Sequence, residues 1–258
     1  MKMFEKSADK YKDRPRVIVV EHLSKQFGDH VVLDDFNLSV FKEENVVVLG
    51  KSGSGKSVLV KCIVSLLKPD LGSIFVLGED ISTLNDEELD ALRMKLGFLF
   101  QSNALYDSMT VRENLEFPLL RYDKSLQKSE IDARISEALA NVGLEHTLNM
   151  MPAELSGGMA KRIALARAMI LKPEIVFYDE PTAGLDPVTA REIDALILKM
   201  KRKYHTSSII ISHDMECVKH TSDRVILLLE GKCYTQGTYQ ELEQSTDEKV
   251  KQFFESEM

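Results

Sequence analysis

Four short apolar runs in this chain do not alternate with polar residues: Asn45 to Leu49, Leu96 to Phe100, Glu174 to Tyr178 and Ser207 to Ser212. Strands of a parallel sheet look like this when helices cover both faces. Each run leads to the next through helical sequence, so the pattern predicts an α/β sheet with ligand chemistry at the carboxyl ends of its strands. Ahead of the sheet, Val17 to Glu21 and Leu38 to Phe41 are β-prone and separated by the polar turn Gly28-Asp29-His30, which predicts an antiparallel meander. Between Gln101 and Leu171 the β signal fades. There Thr110 and Glu113 have the spacing of a capping box, and Lys128 to Val142 carries Ile131, Ile135, Leu139 and Val142 at helical intervals. Residues 102–172 are therefore expected to form a helical subdomain inserted in one domain spanning 1–258. A further strand, Arg224 to Leu229, a turn at Glu230 to Lys232 and two short helical stretches complete the pattern.

Composition narrows the possible partners. A 44% hydrophobic share over 258 residues suffices for one large core with a smaller helical part. The net charge of −8 gives no overall basic field for a nucleic-acid backbone or an anionic membrane. Cys62, Cys217 and Cys233 show neither metal-ligand spacing nor the density of a secreted disulfide scaffold, which favours a reducing compartment. The polar N-terminus does not read as a secretory signal, and no stretch approaches about 18 consecutive apolar residues, so any membrane role is expected to come through a partner. The polar N-terminal dozen residues and Gln244 to Lys251 are expected to be mobile or docked on a partner, and Lys249 to Phe254 could dock a partner or cap its own domain.

Directly after the first buried run comes Gly50-Lys51-Ser52-Gly53-Ser54-Gly55-Lys56-Ser57, which opens a helix beginning with Val58 and Leu59. A P-loop requires this context. Glycines let successive backbone N–H groups turn inward around phosphates, and the helix N-terminus adds partial positive charge. Lys56 should reach the β- and γ-phosphates, and the Ser57 hydroxyl a Mg²⁺ ion. The bland alternative is a chance Gly/Ser-rich turn. The run Glu174 to Tyr178 ends in Asp179 and Glu180, the form of a Walker B strand. Adjacent strand residues point to opposite faces, so the two carboxylates should differ in role. Asp179 would hold Mg²⁺, while Glu180 could deprotonate the attacking water, worth about 10²–10⁴ in rate. Alone, a strand ending in Asp-Glu is more often an ordinary solvated terminus.

Leu155-Ser156-Gly157-Gly158-Met159 precedes the helical run Ile163 to Ile170. Ser156 can cap that helix, and Gly157 and Gly158 allow close backbone approach, making a second anion site. One nucleotide rarely needs two cradles, so each would face the other's partner across a two-fold dimer. Read singly, this is also an ordinary capped helix.

These motifs, in this order, resemble the ABC ATPase family over nearly the whole chain. The resemblance implies an ABC ATPase fold: a P-loop NTPase core with a mixed, mainly parallel sheet, an N-terminal antiparallel β subdomain and an inserted α-helical subdomain. It implies ATP and Mg²⁺ as ligands. Gln101 matches the Q-loop glutamine, contacting Mg²⁺ and sensing the γ-phosphate; Ala183 to Asp186 match the D-loop. His213 matches the switch histidine that helps place the water, and Phe27 the aromatic residue that stacks on adenine. Without the resemblance Phe27 would read as core and His213 as a structural histidine.

Met159 stands where the family most often has Gln. With Ala160-Lys161-Arg162, Phe100 to Asn114 and Tyr178 to Pro187, it resembles the subgroup serving Mla-type and Mce-type lipid transporters. That resemblance implies several partners: a second copy in an ATP-sandwich dimer, a permease docking near Gln101 to Asn114, a lipid-binding MCE-type subunit and a small regulatory subunit. It also implies a peripheral place on the cytoplasmic face of the inner (plasma) membrane. Leu105, Tyr106, Met109 and Val111 would suit the docking groove, with a local core as the alternative. Amino-acid or lipoprotein transport remains a rival cargo. About 50 residues separate Gln101 from Leu155, without sustained heptads, against a coiled-coil DNA-repair member. One P-loop and one Ser-Gly-Gly segment argue against the two-domain translation factors, and the carboxylate and histidine at 180 and 213 argue against an inert scaffold.

Overall fold

A computed structural model describes residues 11, 13–122 and 125–257. The chain opens with a hairpin of two long strands, β1 (Arg16–Phe27) and β2 (His30–Phe41), paired from Arg16↔Phe41 to Phe27↔His30. The runs predicted at 17–21 and 38–41 are only the outer halves of these strands. Register shifts near His22 and Asp35, both at positive φ, break the alternation that would have marked the inner halves.

Next, β3 (Asn45–Leu49) enters a second sheet fully buried and α1 (Lys56–Ile63) leaves it. Then β4 (Leu71–Val76) and β5 (Glu79–Asp80) return to complete an antiparallel sheet in the order β2-β1-β4-β5. That pair was not anticipated, and neither was α2 (Asp86–Arg93), although the Asn85/Glu88 capping box that starts it is in the sequence.

The second sheet adds β6 (Leu96–Leu99), the helices α3 (Val111–Tyr122), α4 (Lys128–Val142) and α5 (Gly157–Met169), then β7 (Ile175–Asp179). After α6 (Pro187–Tyr204) come β8 (Ser207–Ile211), α7 (Met215–Thr221), β9 (Arg224–Leu229) and β10 (Lys232–Gly237). Its order is β10-β9-β3-β8-β7-β6, parallel throughout except for the β9–β10 edge pair. The carboxyl ends of β3, β6, β7 and β8 therefore open on one side, where ligands of such sheets bind.

Helices α3, α4 and α5 share a core that includes Leu115, Leu119, Ile135, Leu139 and Ile163. Thr110 and Glu113 make the expected reciprocal bonds, Glu113 N–H to Thr110 Oγ1 at 3.2 Å and Thr110 N–H to a Glu113 carboxylate oxygen at 2.7 Å. Helix α5 is apolar nearly all round because it serves two cores: Leu165 and Met169 face the parallel sheet, Ile163 and Ala166 the helical layer.

The chain closes with α8 (Tyr239–Glu243) and α9 (Glu248–Glu257). Val250, Phe253 and Phe254 are buried against the sheet core, and Asp247 caps the helix through the N–H groups of Lys249 and Val250. Of the two alternatives for Lys249 to Phe254 the segment therefore caps its own domain, with about 1.5–3 kcal/mol of hydrophobic stabilisation per buried side chain, and Val250 ties the end of the stretch expected to be mobile or partner-docked into the same core. Of the N-terminal dozen residues expected to be mobile or docked, 1–10 and 12 lie outside the described residues, and Tyr11 is buried. Among those described, no helix is long and apolar enough to cross a membrane.

Candidate active site

A cleft of about 760 Å³ opens at the carboxyl ends of β3, β7 and β8. Its floor is the loop from Gly50 into α1. Gly55 sits at φ +104° as the residue preceding α1, and a Cβ there would come within 2.9 Å of Val32 Cγ1, so only glycine fits the turn against β2. The first turn of α1 carries no acidic side chain, which leaves its positive end available to an anion. Lys56, almost buried, arches over the loop and donates from Nζ to the Gly50 carbonyl at 2.6 Å and the Lys51 carbonyl at 3.1 Å.

Gly50, Lys51, Ser52, Gly53, Gly55, Lys56, Ser57 and Val58 all line the cleft. Ser54 does not. Its hydroxyl is buried behind the loop, where a Cβ on Gly50 would lie 2.6 Å from it.

Asp179 and Glu180 both line this cleft, contrary to the expectation that neighbours at a strand end diverge. Asp179 is the last residue of β7, and Glu180 turns off the strand at φ +48°, which cancels the alternation. The Glu180 N–H donates to the Ile211 carbonyl at 2.9 Å, tying the turn to the end of β8. His213 follows that strand, with Nδ1 2.9 Å from a Glu180 carboxylate oxygen. Asp214 next caps α7 and accepts a 2.9 Å bond from Thr182 Oγ1, fixing this corner from both sides.

Burial, then the neighbouring charge of Glu180, raises the pKa of Asp179 above its ordinary value, while Lys56 and Lys161 pull the other way. Two adjacent carboxylates, one of them held above its ordinary value chiefly by burial, suit a divalent cation. Among the described residues no group of three or more His, Cys, Asp or Glu side chains could hold a metal alone. Ser57, Gln101 and Asp179 instead offer a few oxygen donors, which fits a cation that also binds substrate phosphates.

Gln101 lines the cleft just beyond β6, and its carbonyl accepts a 2.9 Å bond from Lys161 Nζ. In the sequence Lys161 counts only as part of the Ala160-Lys161-Arg162 resemblance and has no site role; its signal is its burial among the apolar positions of a helix whose Arg162 instead pairs with Glu192. Phe27 ends β1 at the cleft rim, 48% exposed, which excludes the core alternative.

Ser156, Gly157 and Gly158 stand apart from the cleft. Ser156 Oγ accepts from the Met159 N–H at 3.2 Å, so the expected cap forms. A Cβ on Gly158 would lie 2.6 Å from Thr189 Cγ2, so the glycine also lets α5 seat against the start of α6.

Beside Gln101 lies a groove of about 480 Å³ whose aromatic lining includes Phe100, Tyr106, Phe117 and Tyr122. Of the four residues expected there only Tyr106 lines it. Val111 is fully buried, Leu105 packs inward on both helical and sheet cores, and Met109 is half-buried.

Comparison with known proteins agrees with this geometry. The ABC transporter family model matches residues 33–183. The intermembrane phospholipid transport ATP-binding protein MlaF of Haemophilus influenzae is 38% identical over 241 residues, covering 93% of this chain and 91% of its own. The sulfate/thiosulfate import ATP-binding protein CysA of Synechocystis sp. is 36% identical over 226 residues, covering 87% of this chain and 61% of its own. The solved dimeric cassette MJ0796, bound to ADP and Pi, superposes with a TM-score of 0.78 at 30% identity, covering 86% of this chain and 98% of that one. The glycine-rich loop, the Ser156-capped helix and then the paired carboxylate and histidine follow one another along a chain that matches the family model over more than half its length, and the chain belongs to the ABC transporter family as an ATP-binding subunit that hydrolyses ATP.

Proposed function

We propose that two copies of this chain close over two Mg-ATP and thereby drive a membrane permease that moves phospholipid. One observation carries the sandwich: the Ser156-capped N-terminus of α5, with no acidic side chain in its first turn, does not line the chain's own cleft. It finds a use when Ser156, Gly157 and Gly158 meet the nucleotide held by a partner copy. Within each cleft Phe27 stacks on adenine, the loop N–H groups from Gly50 to Val58 cradle the phosphates, and Lys56 exchanges its loop carbonyls for phosphate oxygens. Asp179, Ser57 and Gln101 would hold Mg²⁺, whose charge offsets that of the phosphates. Glu180 accepts the proton of the attacking water while His213 orients both. Loss of the γ-phosphate removes the contact joining the halves, and they part.

The helical layer of residues 102–172 moves with this cycle as one part of a single nucleotide-binding domain, 1–258. Force leaves through the groove at Phe100, Tyr106 and Phe117, where a permease helix docks. The chain thus sits peripherally at the cytoplasmic face of the inner membrane. A phospholipid cargo is supported by Met159 and its neighbours and by the likeness to MlaF. An MCE-type lipid-binding subunit and a small regulatory subunit would then belong to the assembly. A second cargo reading keeps standing because CysA is almost as similar.

Mild-detergent affinity purification from native membranes, with mass spectrometry of proteins and lipids, separates them. A multispanning permease with an MCE-type subunit and stoichiometric phospholipid is the expected result. A permease with a soluble solute-binding protein and no enriched lipid would overturn the cargo.

A further inference from the structure

Helix α5 is packed in apolar surroundings on most sides, yet it carries two cations aimed at one loop. Lys161 is 2% exposed and donates to the Gln101 carbonyl at 2.9 Å. Arg167 donates to the Ala104 carbonyl at 2.8 Å and the Asn103 carbonyl at 3.1 Å, and its guanidinium lies 5.8 Å from the centre of the Tyr106 ring. Asn103 and Ala104 are consecutive non-glycine residues at φ +62° and +51°. Two left-handed L-residues in a row persist only where surrounding contacts hold them.

Stability alone is a poor account of this clamp. Burying an ammonium is costly, and an apolar side chain of similar volume often serves a fold equally well. What the clamp does provide is a rigid connection. Gln101 lines the ATP cleft, Ala104 and Tyr106 line the groove, and the N-terminus of the same helix is the capped Ser156 segment.

We infer that Lys161 and Arg167 are positioning residues, which hold the segment 101–106 to α5 so that seating of the Ser156 end on one nucleotide sets Gln101 at the other. The inference rests on the ATP-sandwich reading above. Lys161 acts through the Gln101 backbone and touches no substrate. Its loss leaves the phosphate cradle intact but lets Gln101 drift, which lowers turnover and spares binding.

The test uses the full-length chain with Lys161→Met, Lys161→Arg and Arg167→Met. It measures ATP affinity by direct binding, kcat by phosphate release, the thermal midpoint, and amide hydrogen exchange across residues 101–106. For Lys161→Met, kcat should fall about 10- to 100-fold, with ATP affinity within about twofold, an undiminished midpoint and faster loop exchange. Lys161→Arg should recover most of kcat and slow the exchange, and Arg167→Met should speed the same exchange. Unchanged kcat in Lys161→Met would overturn the inference, and so would a kcat loss with unchanged loop exchange, which would assign the effect to the Lys161 charge near Asp179. So would a kcat loss that tracks a lowered midpoint and is not recovered by Lys161→Arg. The sandwich reading fails separately, if Glu180→Gln remains monomeric in saturating ATP by light scattering.

Discussion

His213 Nδ1 lies 2.9 Å from one carboxylate oxygen of Glu180, and the His213 backbone N–H is 3.4 Å from the other. The two residues come from the ends of neighbouring strands, and the left-handed turn at Glu180 brings them together. The side chain of Glu180 is 12% exposed and that of His213 60%, so the carboxylate is screened from solvent while the imidazole reaches into the cleft. Glu180→Gln is expected to bind ATP with near wild-type affinity and to lose about 10²–10⁴ in kcat. His213→Ala should lose much of the same factor, and the double variant no more than the worse single one, because paired groups act as a unit. Single-turnover phosphate release alongside direct ATP binding separates the two quantities, and wild-type turnover in Glu180→Gln would remove this residue from the chemistry.

Phe27 sits at the cleft rim with Lys25 Nζ 5.4 Å from its ring centre, and its exposure means that little of the core depends on it. Phe27→Ala should weaken ATP binding by about 1–3 kcal/mol, the usual worth of a base–aromatic stack. Phe27→Tyr should keep it. The thermal midpoint without nucleotide should hardly move in either. Calorimetric titration of ATP, followed by a triphosphate without a base, checks the assignment: the Phe27→Ala deficit should vanish for the baseless ligand.

The parallel core was legible because β3, β7 and β8 are buried on both faces and so appear as unbroken apolar runs. Local structure was legible where it depends on adjacent residues, as in the glycine-rich turn at 50–57 that lines the cleft ahead of α1 and in the Thr110/Glu113 cap. What failed depended on backbone turns or on distant partners. The positive φ of Glu180 reversed the face expected from alternation, and bulges at His22 and Asp35 hid half of the first hairpin. The polar reading of Gln244 to Lys251 missed that Val250 joins Phe253 and Phe254, just beyond that stretch, at helical spacing on one buried face, which decides the alternatives for Lys249 to Phe254 in favour of capping its own domain. Lys161 could not be assigned because its acceptor lies 60 residues earlier in the chain.

Gly158 has two separable demands on its missing side chain. A Cβ would lie 2.6 Å from Thr189 Cγ2, and by the proposed sandwich the same backbone approaches a partner's phosphate. Gly158→Ala should therefore cost about 1–3 kcal/mol through overpacking against α6. Adding Thr189→Ser removes the methyl group and keeps the hydroxyl that bonds Asp186, so it should restore much of that stability. ATPase activity and ATP-dependent dimerisation should stay low in the double variant. Urea unfolding and light scattering read the two demands apart; full recovery of activity with stability would mean that Gly158 serves only helix packing.

Glu137 on α4 accepts from Lys203 Nζ at 2.8 Å and Tyr204 Oη at 3.2 Å, both on α6, and lies 3.3 Å from Lys172 Nζ. The hydrogen bond from Lys203, aided by Lys172, pulls its pKa down to about 2. A carboxyl more acidic in the folded than in the unfolded chain stabilises the fold above its unfolded pKa, and that stabilisation disappears as pH falls through the folded value. The side chain is 37% exposed, so solvent screening limits the effect, and Glu137→Gln should cost no more than about 1 kcal/mol at pH 7. The difference from wild type should shrink as the buffer is taken from about pH 5 towards pH 3, and again in about 1 M salt. Urea unfolding of both proteins across that range makes the check. A difference independent of pH and salt would mean that Glu137 joins the helical layer to α6 by shape, with its charge immaterial.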